Sequence, residues 1–285
     1  MTEHVRAEAD ALVIRGVDDV GVAGVVVGAA TDVGRLRTIN EDGYLAISPA
    51  FVVVDGMGGH AAGRMATQVA LDSLYSLAGT TVTDVETVVR AVKTAQEAIV
   101  AIPSHAAYLP GATIAGVVLA WMEDDQGVTR PTWIIFNIGD ARVYLLRDDM
   151  LSQVTRDHSR VQILVETGEI TPEQARHDPR RNVVTRALGG GIADSAVPDL
   201  YSVPVAAGDR LLICSDGLSD ELNDEAIATV LAAGYTAQRT AELLVAASLE
   251  GGGHDNTTAV VVDSAETPAL APAVVPGDAS TQEAL

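Results

Sequence analysis

The stretch Asn40-Glu41-Asp42-Gly43-Tyr44-Leu45-Ala46-Ile47-Ser48-Pro49-Ala50-Phe51-Val52-Val53-Val54-Asp55-Gly56 decides the fold. Residues 44–47 and 51–54 are apolar and rich in β-branched side chains. Ser48-Pro49-Ala50 between them is turn chemistry, because proline presets its own φ and cannot donate to a ladder. Two strands joined so tightly run antiparallel, which sets the start of the first beside the end of the second. Counted outward from Pro49, Asp42 falls opposite Gly56, and Glu41 lies one step further out beside Asp55. Three carboxylates therefore gather at one end of an apolar ribbon, at a cost on the order of several kcal/mol unless cations neutralise them. The stretch predicts a metal site.

Outward from this hairpin the same pattern recurs. Residues 22–30 read as a buried strand, and Gly56-Met57-Gly58-Gly59-His60-Ala61-Ala62-Gly63 is a glycine-rich loop feeding a helix of about 17 residues. A second helix starts at Thr83, where Thr83 and Glu86 fit a capping box, and carries the stripe Val85, Val88, Val92, Ala95, Ile99. Strands return at 111–122, 132–138 and 141–146, the last two joined through Ile138-Gly139-Asp140-Ala141, which has the form of a hairpin turn. The pattern resumes at 198–205 and 209–214, the second strand ending in Ser215-Asp216-Gly217-Leu218-Ser219-Asp220. Helices follow near 223–233 and 236–250, and Asp255-Asn256 precedes a last strand from Thr257. An aspartate beside glycine is ordinarily a turn residue. Here Asp55, Asp140, Asp216 and Asp255 all stand at strand ends, and in an antiparallel sheet such ends can share one edge.

Blocks of strands separated by pairs of helices predict an α+β fold of antiparallel sheets with helices outside. Residues 1–18 read as an N-terminal arm, 19–263 as one domain and 264–285 as a disordered tail. Residues 152–192 interrupt the domain as a polar flap, holding six arginines against five acids. Elsewhere acids dominate: 39 acids against 18 bases give a formal charge of −21, which repels nucleic acid and anionic membrane surfaces. No apolar run approaches the length of about 20 residues that spans a bilayer, and Met1-Thr2-Glu3-His4-Val5-Arg6 lacks the pattern of a signal peptide. The single cysteine, Cys214, forbids an internal disulfide and fits a reducing compartment, so the expectation is a cytoplasmic monomer. Oxygen ligands without cysteine select Mg²⁺ or Mn²⁺ over zinc. Two such ions about 4 Å apart could share a carboxylate and a water.

The run Gly34-x-x-Arg37-x-x-x-Glu41-Asp42, followed by Asp55-Gly56-Met57-Gly58-Gly59-His60, Gly139-Asp140-Ala141-Arg142, Ser215-Asp216-Gly217-Leu218-x-Asp220 and Asp255-Asn256-x-Thr258, resembles in order the motifs of the metal-dependent type 2C (PPM) serine/threonine protein phosphatases. The bacterial single-domain branch is the most similar, over residues 22–263. The resemblance implies a four-layer α-β-β-α sandwich with metals in a cleft at one end of the two sheets. It implies hydrolysis of phosphoserine and phosphothreonine in proteins by a metal-bridging water attacking phosphorus directly, with substrates supplied by a serine/threonine kinase. By matching position, Asp55 would bridge two ions, Glu41 and the Gly56 carbonyl would complete one shell, and Asp216 and Asp255 would hold the other. Asp140 and Asp220 match a third ion, Asp42 would orient the water, Arg37 would bind phosphate, and His60 would be the general acid. Ala141 and Ala112 stand where many bacterial relatives carry serine and threonine. Met57 reads as packing, Asn256 as a turn group beside Asp255, and His158 and His177 as solvated flap residues.

Two rivals carry different expectations. A binding module on the same fold would show no metal-dependent turnover, and a phosphatase dedicated to one regulatory protein, such as an anti-anti-sigma factor, would need a separate partner for its specificity.

Overall fold

The computed structural model describes residues 12–15, 24–103, 109–192 and 197–264. Most of the expected N-terminal arm, and all but the first residue of the expected tail, lie outside the described residues. The hairpin forms as β3 (Asp42–Ile47) and β4 (Ala50–Met57). Its turn holds two residues, Ser48 and Pro49, rather than three, and pairs Ile47 with Ala50. The register therefore slips by one from the count on Pro49: Asp42 faces Asp55 directly, and Glu41 meets Gly56 through a backbone N–H···O bond of 3.2 Å.

The remaining strands are β1 (Leu12–Arg15), β2 (Val25–Asp32), β5 (Gly111–Glu123), β6 (Thr129–Ile138), β7 (Arg142–Arg147), β8 (Met150–Gln153), β9 (Leu188–Gly189), β10 (Asp199–Pro204), β11 (Arg210–Cys214) and β12 (Thr257–Ser264). The first sheet runs β1-β3-β4-β5-β6-β10 with β9 beside β5, and the second runs β2-β12-β11-β7-β8. Every pairing is antiparallel except β1 on β3, which is parallel. The expected hairpin between β6 and β7 is not one. β6 pairs with β5 and β10, whereas β7 pairs with β11 and β8, so Gly139-Asp140-Ala141 carries the chain from one sheet to the other. Gly139 makes that crossing at φ +105°, with its backbone pressed against Thr113, where a side chain has no room.

Three apolar layers hold the sandwich together. Val52, Val54, Ile114 and Phe136 of the first sheet pack on α1 (His60–Leu74) and α2 (Val85–Val100). Asp84, not Thr83, caps α2 by accepting from Thr87 N–H at 2.7 Å, so the cap lies one residue later than the sequence suggests. Tyr44, Phe51, Val53, Trp133, Ile135, Ile213 and Val260 fill the space between the sheets. The outer face of the second sheet packs on α5 (Asp216–Ser219), α6 (Asp224–Leu231) and α7 (Ala237–Gly251). Cys214, which follows the apolar Leu211, Leu212 and Ile213, is buried in this last layer. The 152–192 segment contributes α3 (Arg160–Glu166) and α4 (Pro172–Ala175), the latter opened by a Thr171 capping box with Pro172 in its first turn.

Candidate metal centre

The site arises where the inter-sheet layer stops being apolar. Side chains alternate along a strand with period two, so the face that buries Tyr44 and Ala46 on β3 continues to Asp42, and the face that buries Phe51 and Val53 on β4 continues to Asp55. By the same count Ala115 and Val117 lead to Thr113, Trp133 and Ile135 to Asn137, Leu211 and Ile213 to Ser215, and Val262 and Val260 to Thr258. These strands turn from hydrocarbon to oxygen at the same end of the sandwich. Asp42 is tied across the gap there, its Oδ2 accepting from Ser215 Oγ and Thr258 Oγ1 of the second sheet, each at 2.7 Å.

Around that end the other expected acids assemble. Asp216 opens α5 directly after β11, and Asp255 lies just before β12. Asp55 and Asp216 keep part of their surface open to the cleft, yet desolvation pushes both carboxyls well above their ordinary range, and charge repulsion adds to it. Asp55 is raised by Asp42, Asp216, Asp255 and Asp140, and Asp216 by Asp140, Asp220, Asp255 and Asp42. Burial pushes Asp42 up to about 6, against the hydrogen bonds from Thr258 and Ser215, and pushes Asp140 up to about 7 with help from Asp157. Desolvation also raises Asp220, which the guanidiniums of Arg181, Arg142 and Arg176 oppose. Asp55 and Asp216 each feel four of the other acids, so the chain has drawn distant carboxylates into one electrostatic unit.

The donor set fits hard divalent cations. It is all oxygen, and Asp42 Oδ1 is buried without a hydrogen-bond partner. Among the described residues no three His, Cys, Asp or Glu side chains converge on a single point for one ion. Asp55 and Asp216 stand near enough to be raised by Asp255 and by each other's neighbours without meeting at one point, so a bound ion would draw the carboxylates together and complete its shell with backbone oxygen and water, the habit of Mg²⁺ and Mn²⁺. Glu41 is placed by its backbone: its carbonyl accepts from Thr67 Oγ1 at 2.6 Å, and its N–H donates to Asn256 Oδ1 at 2.8 Å. Its carboxylate lies over Gly63 of α1, and Gly56 also abuts Gly63, so a side chain at either glycine would collide.

Arg37 reaches this centre on an exposed loop, its Nη2 donating to Asp255 Oδ2 at 2.6 Å. His60 is the first residue of α1, and its side chain lies outside the described part. In the 152–192 segment, Arg176 donates to the Ser219 and Asp220 carbonyls at 3.1 and 3.0 Å, and Arg181 approaches the Asp220 carboxylate at 3.5 Å. A cavity of about 610 Å³ opens between this segment and Asp140, Asp216 and Asp220. Three further arginines there are held by acids: Arg156 pairs with Glu166, Arg180 with Asp178 and Arg186 with Asp199. His158 corrects its expectation too. It is buried, its Nδ1 accepts from Gly139 N–H at 3.0 Å, and its Nε2 meets Asp199 at 3.1 Å.

Ser215, Thr258, Thr67 and Asp157 belong to the site's support and were not singled out from sequence. Asn256 does more than steady Asp255: its Nδ2 donates to the Val33 and Ile39 carbonyls, clamping the loop that carries Arg37. The motif Asp255-Asn256-x-Thr258 contained two of these residues, but their partners lie more than two hundred positions away.

A family model for protein phosphatase 2C matches residues 38–251. The chain belongs to the protein phosphatase 2C family. Among curated relatives, the serine/threonine protein phosphatase PstP of Mycobacterium tuberculosis is 38% identical over 240 residues, 82% of this chain and 44% of that protein. The chain thus spans about half the length of that relative. The serine/threonine phosphatase stp of Listeria innocua is 35% identical over 245 residues and 93% of its own length is covered. Among solved members of the protein phosphatase 2C fold, the catalytic domain of PstP in complex with two manganese ions has a TM-score of 0.75 at 35% identity, covering 86% of this chain and 100% of that one. A PPM Ser-Thr phosphatase from Mycobacterium smegmatis, in complex with cacodylate, has a TM-score of 0.72 at 33% identity, covering 85% and 99%. Two antiparallel sheets between helix layers are therefore the family architecture, as the motifs imply. No described helix is long and apolar enough to cross a membrane.

Proposed function

We propose that this chain is a metal-dependent serine/threonine protein phosphatase that hydrolyses phosphoserine and phosphothreonine by direct attack of water on phosphorus. The observation that carries the reading is the burial of Asp42, Asp55, Asp140 and Asp216 at one end of the inter-sheet layer, which raises all four, with repulsion from neighbouring acids adding to it at Asp55 and Asp216, a charge density that calls for cations. Asp55, Glu41 and the Gly56 carbonyl would hold one Mn²⁺ or Mg²⁺ ion, Asp55, Asp216 and Asp255 a second, and Asp140 with Asp220 a third. Such ions supply Lewis acidity and lower the pKa of water.

The chain's own groups do the rest. Asp42 accepts a proton-bearing hydrogen bond from the attacking water and so aims its lone pair. Arg37, adjacent to Asp255, presents a planar fork to the phosphoryl oxygens. His60, at the mouth of the glycine-rich loop, protonates the departing serine or threonine oxygen. With several flap arginines paired to acids and one Arg37 N–H held by Asp255, attraction of an anionic substrate falls mainly to the bound cations, and the remaining N–H groups of Arg37 orient the phosphoryl group.

Phosphorylated proteins, the products of a serine/threonine kinase, are the substrates this chemistry requires, and the chain would act on them in the cytoplasm as a monomer. A phosphothreonine peptide and p-nitrophenyl phosphate test the reading. Both are expected to turn over with Mn²⁺, to stop in EDTA and to resume when Mn²⁺ is restored. Absence of metal-dependent turnover would contradict it and favour a binding module.

A further inference from the structure

We propose that Thr31 is a positioning residue for this reaction, fixing the Asp42 carboxylate through Thr258. The proposal rests on the phosphatase reading above. Asp42 is fully buried, and Thr258 Oγ1 donates to its Oδ2 at 2.7 Å. Behind Thr258 stands Thr31 on β2, oxygen to oxygen 2.8 Å, and behind Thr31 stands Asn40, whose Nδ2 lies 2.9 Å from Thr31 Oγ1.

Proton counting sets every direction in this chain. A hydroxyl has one proton to donate, an amide nitrogen only donates and an ionised carboxylate only accepts. The Asn40 amide is oriented by its other end, since Oδ1 accepts from Asp42 N–H at 3.1 Å. Asn40 therefore donates to Thr31. Thr258 gives its one proton to Asp42, so the contact between the two threonines runs from Thr31 to Thr258. Ser215 obeys the same rule: it accepts from Thr258 N–H at 3.0 Å, which leaves its proton for Asp42 Oδ2 at 2.7 Å. Two one-way chains begin on amide N–H groups, which cannot accept, and end on the same carboxylate oxygen.

The consequence lies at the other oxygen. With Oδ2 held twice, Oδ1 is buried and receives no hydroxyl or amide donor, on a side chain that faces and interacts with the Asp55 carboxylate. It is the oxygen left to take a hydrogen bond from the attacking water. Thr31 and Asn40 thus set the rotation of a group they do not themselves share with the substrate. Thr31 lies on a strand that carries none of the expected site residues, and both Thr31 and Thr258 fall outside the residues 38–251 that the family model matches.

Thr31→Val keeps the side-chain shape and removes the proton. The expected result with a phosphothreonine peptide and Mn²⁺ is a kcat about tenfold lower, the scale of one lost oriented hydrogen bond in a buried network. KM and the Mn²⁺ affinity measured by calorimetry are expected to stay at wild-type values, and Thr31→Ser is expected to restore most of kcat. If the valine variant does not fold, Thr31→Ala carries the same measurement. A wild-type kcat in the folded variant, a loss that appears in KM or Mn²⁺ affinity instead, or failure of serine to restore the rate would each overturn the proposal. If the unaltered chain shows no Mn²⁺-dependent turnover, the phosphatase reading fails and this proposal falls with it. Wild-type turnover beside an unaffected Thr31→Val variant defeats the Thr31 assignment alone.

Discussion

The inner pair Asp42–Asp55 and the outer pair Asp140–Asp220 belong to one cleft but are compensated in different ways. Asp42 is answered by neutral hydroxyls from across the sandwich, and its facing neighbour Asp55 meets other acids. Asp220, on the rim, is answered by Arg142, Arg176 and Arg181. Neutral donors orient a carboxylate without cancelling its charge, whereas guanidinium groups do part of a cation's work. The inner end would therefore depend on bound ions far more than the outer end. A third ion near Asp140 and Asp220, as proposed, would compete with arginines already present and bind the more weakly for it.

The sharpest way to break this comparison is Asp55→Asn. It keeps the shape and removes the shared charge, and Mn²⁺-dependent peptide hydrolysis is expected to fall by about three orders of magnitude. Arg37→Ala comes next, with kcat/KM expected to fall by about a hundredfold and little recovered by lysine, which lacks the bidentate fork. A fall in either variant of less than about fivefold would remove that residue from the centre.

Acidity offers a third test, in EDTA. Asp55, Asp216, Asp140 (about 7) and Asp42 (about 6) have folded-state pKa values above the ordinary 3.8 of an aspartate. A native state that binds more protons than the unfolded chain is stabilised below about pH 4, and that contribution is lost as pH rises through 6 to 7 and beyond. The metal-free protein is expected to melt several degrees lower at pH 8 than at pH 5.5, about 5 °C for a chain of this size, and Mn²⁺ is expected to narrow the gap. A metal-free protein that grows more stable across that interval would contradict the crowding of these acids.

The smallest effect belongs to the outer pair. Arg181→Ala removes one competing cation 3.5 Å from Asp220, so the Mn²⁺ concentration for half-maximal activity is expected to fall by about threefold. A rise would mean that the arginine assists the ion instead of competing with it.

Much of this site could be read from the sequence, because its acids sit where local chemistry already marks strand ends. Period-two patterning and the Pro49 turn place Asp42 and Asp55 together, although a turn of two residues moved the register by one. Asp84 displaced Thr83 as a cap because its carboxylate takes both the N–H and the hydroxyl of Thr87. What stayed hidden depends on contacts between the sheets. Gly139-Asp140 has a hairpin's composition, and turn chemistry alone cannot say which sheet the next strand joins. Ser215 and Thr258 are ordinary polar residues in sequence and gain a role only by meeting Asp42 across 173 and 216 positions. His158 looked solvated beside its charged neighbours, yet Gly139 and Asp199 enclose it.

Calorimetric titration of Mn²⁺ into the EDTA-stripped chain and its Asp55→Asn variant addresses the shared role of Asp55 without relying on turnover. Two Mn²⁺ ions are expected to bind the unaltered chain tightly, and both are expected to weaken together in the variant. An Asp55→Asn protein that is folded and takes up Mn²⁺ with the original stoichiometry and affinity would contradict the account.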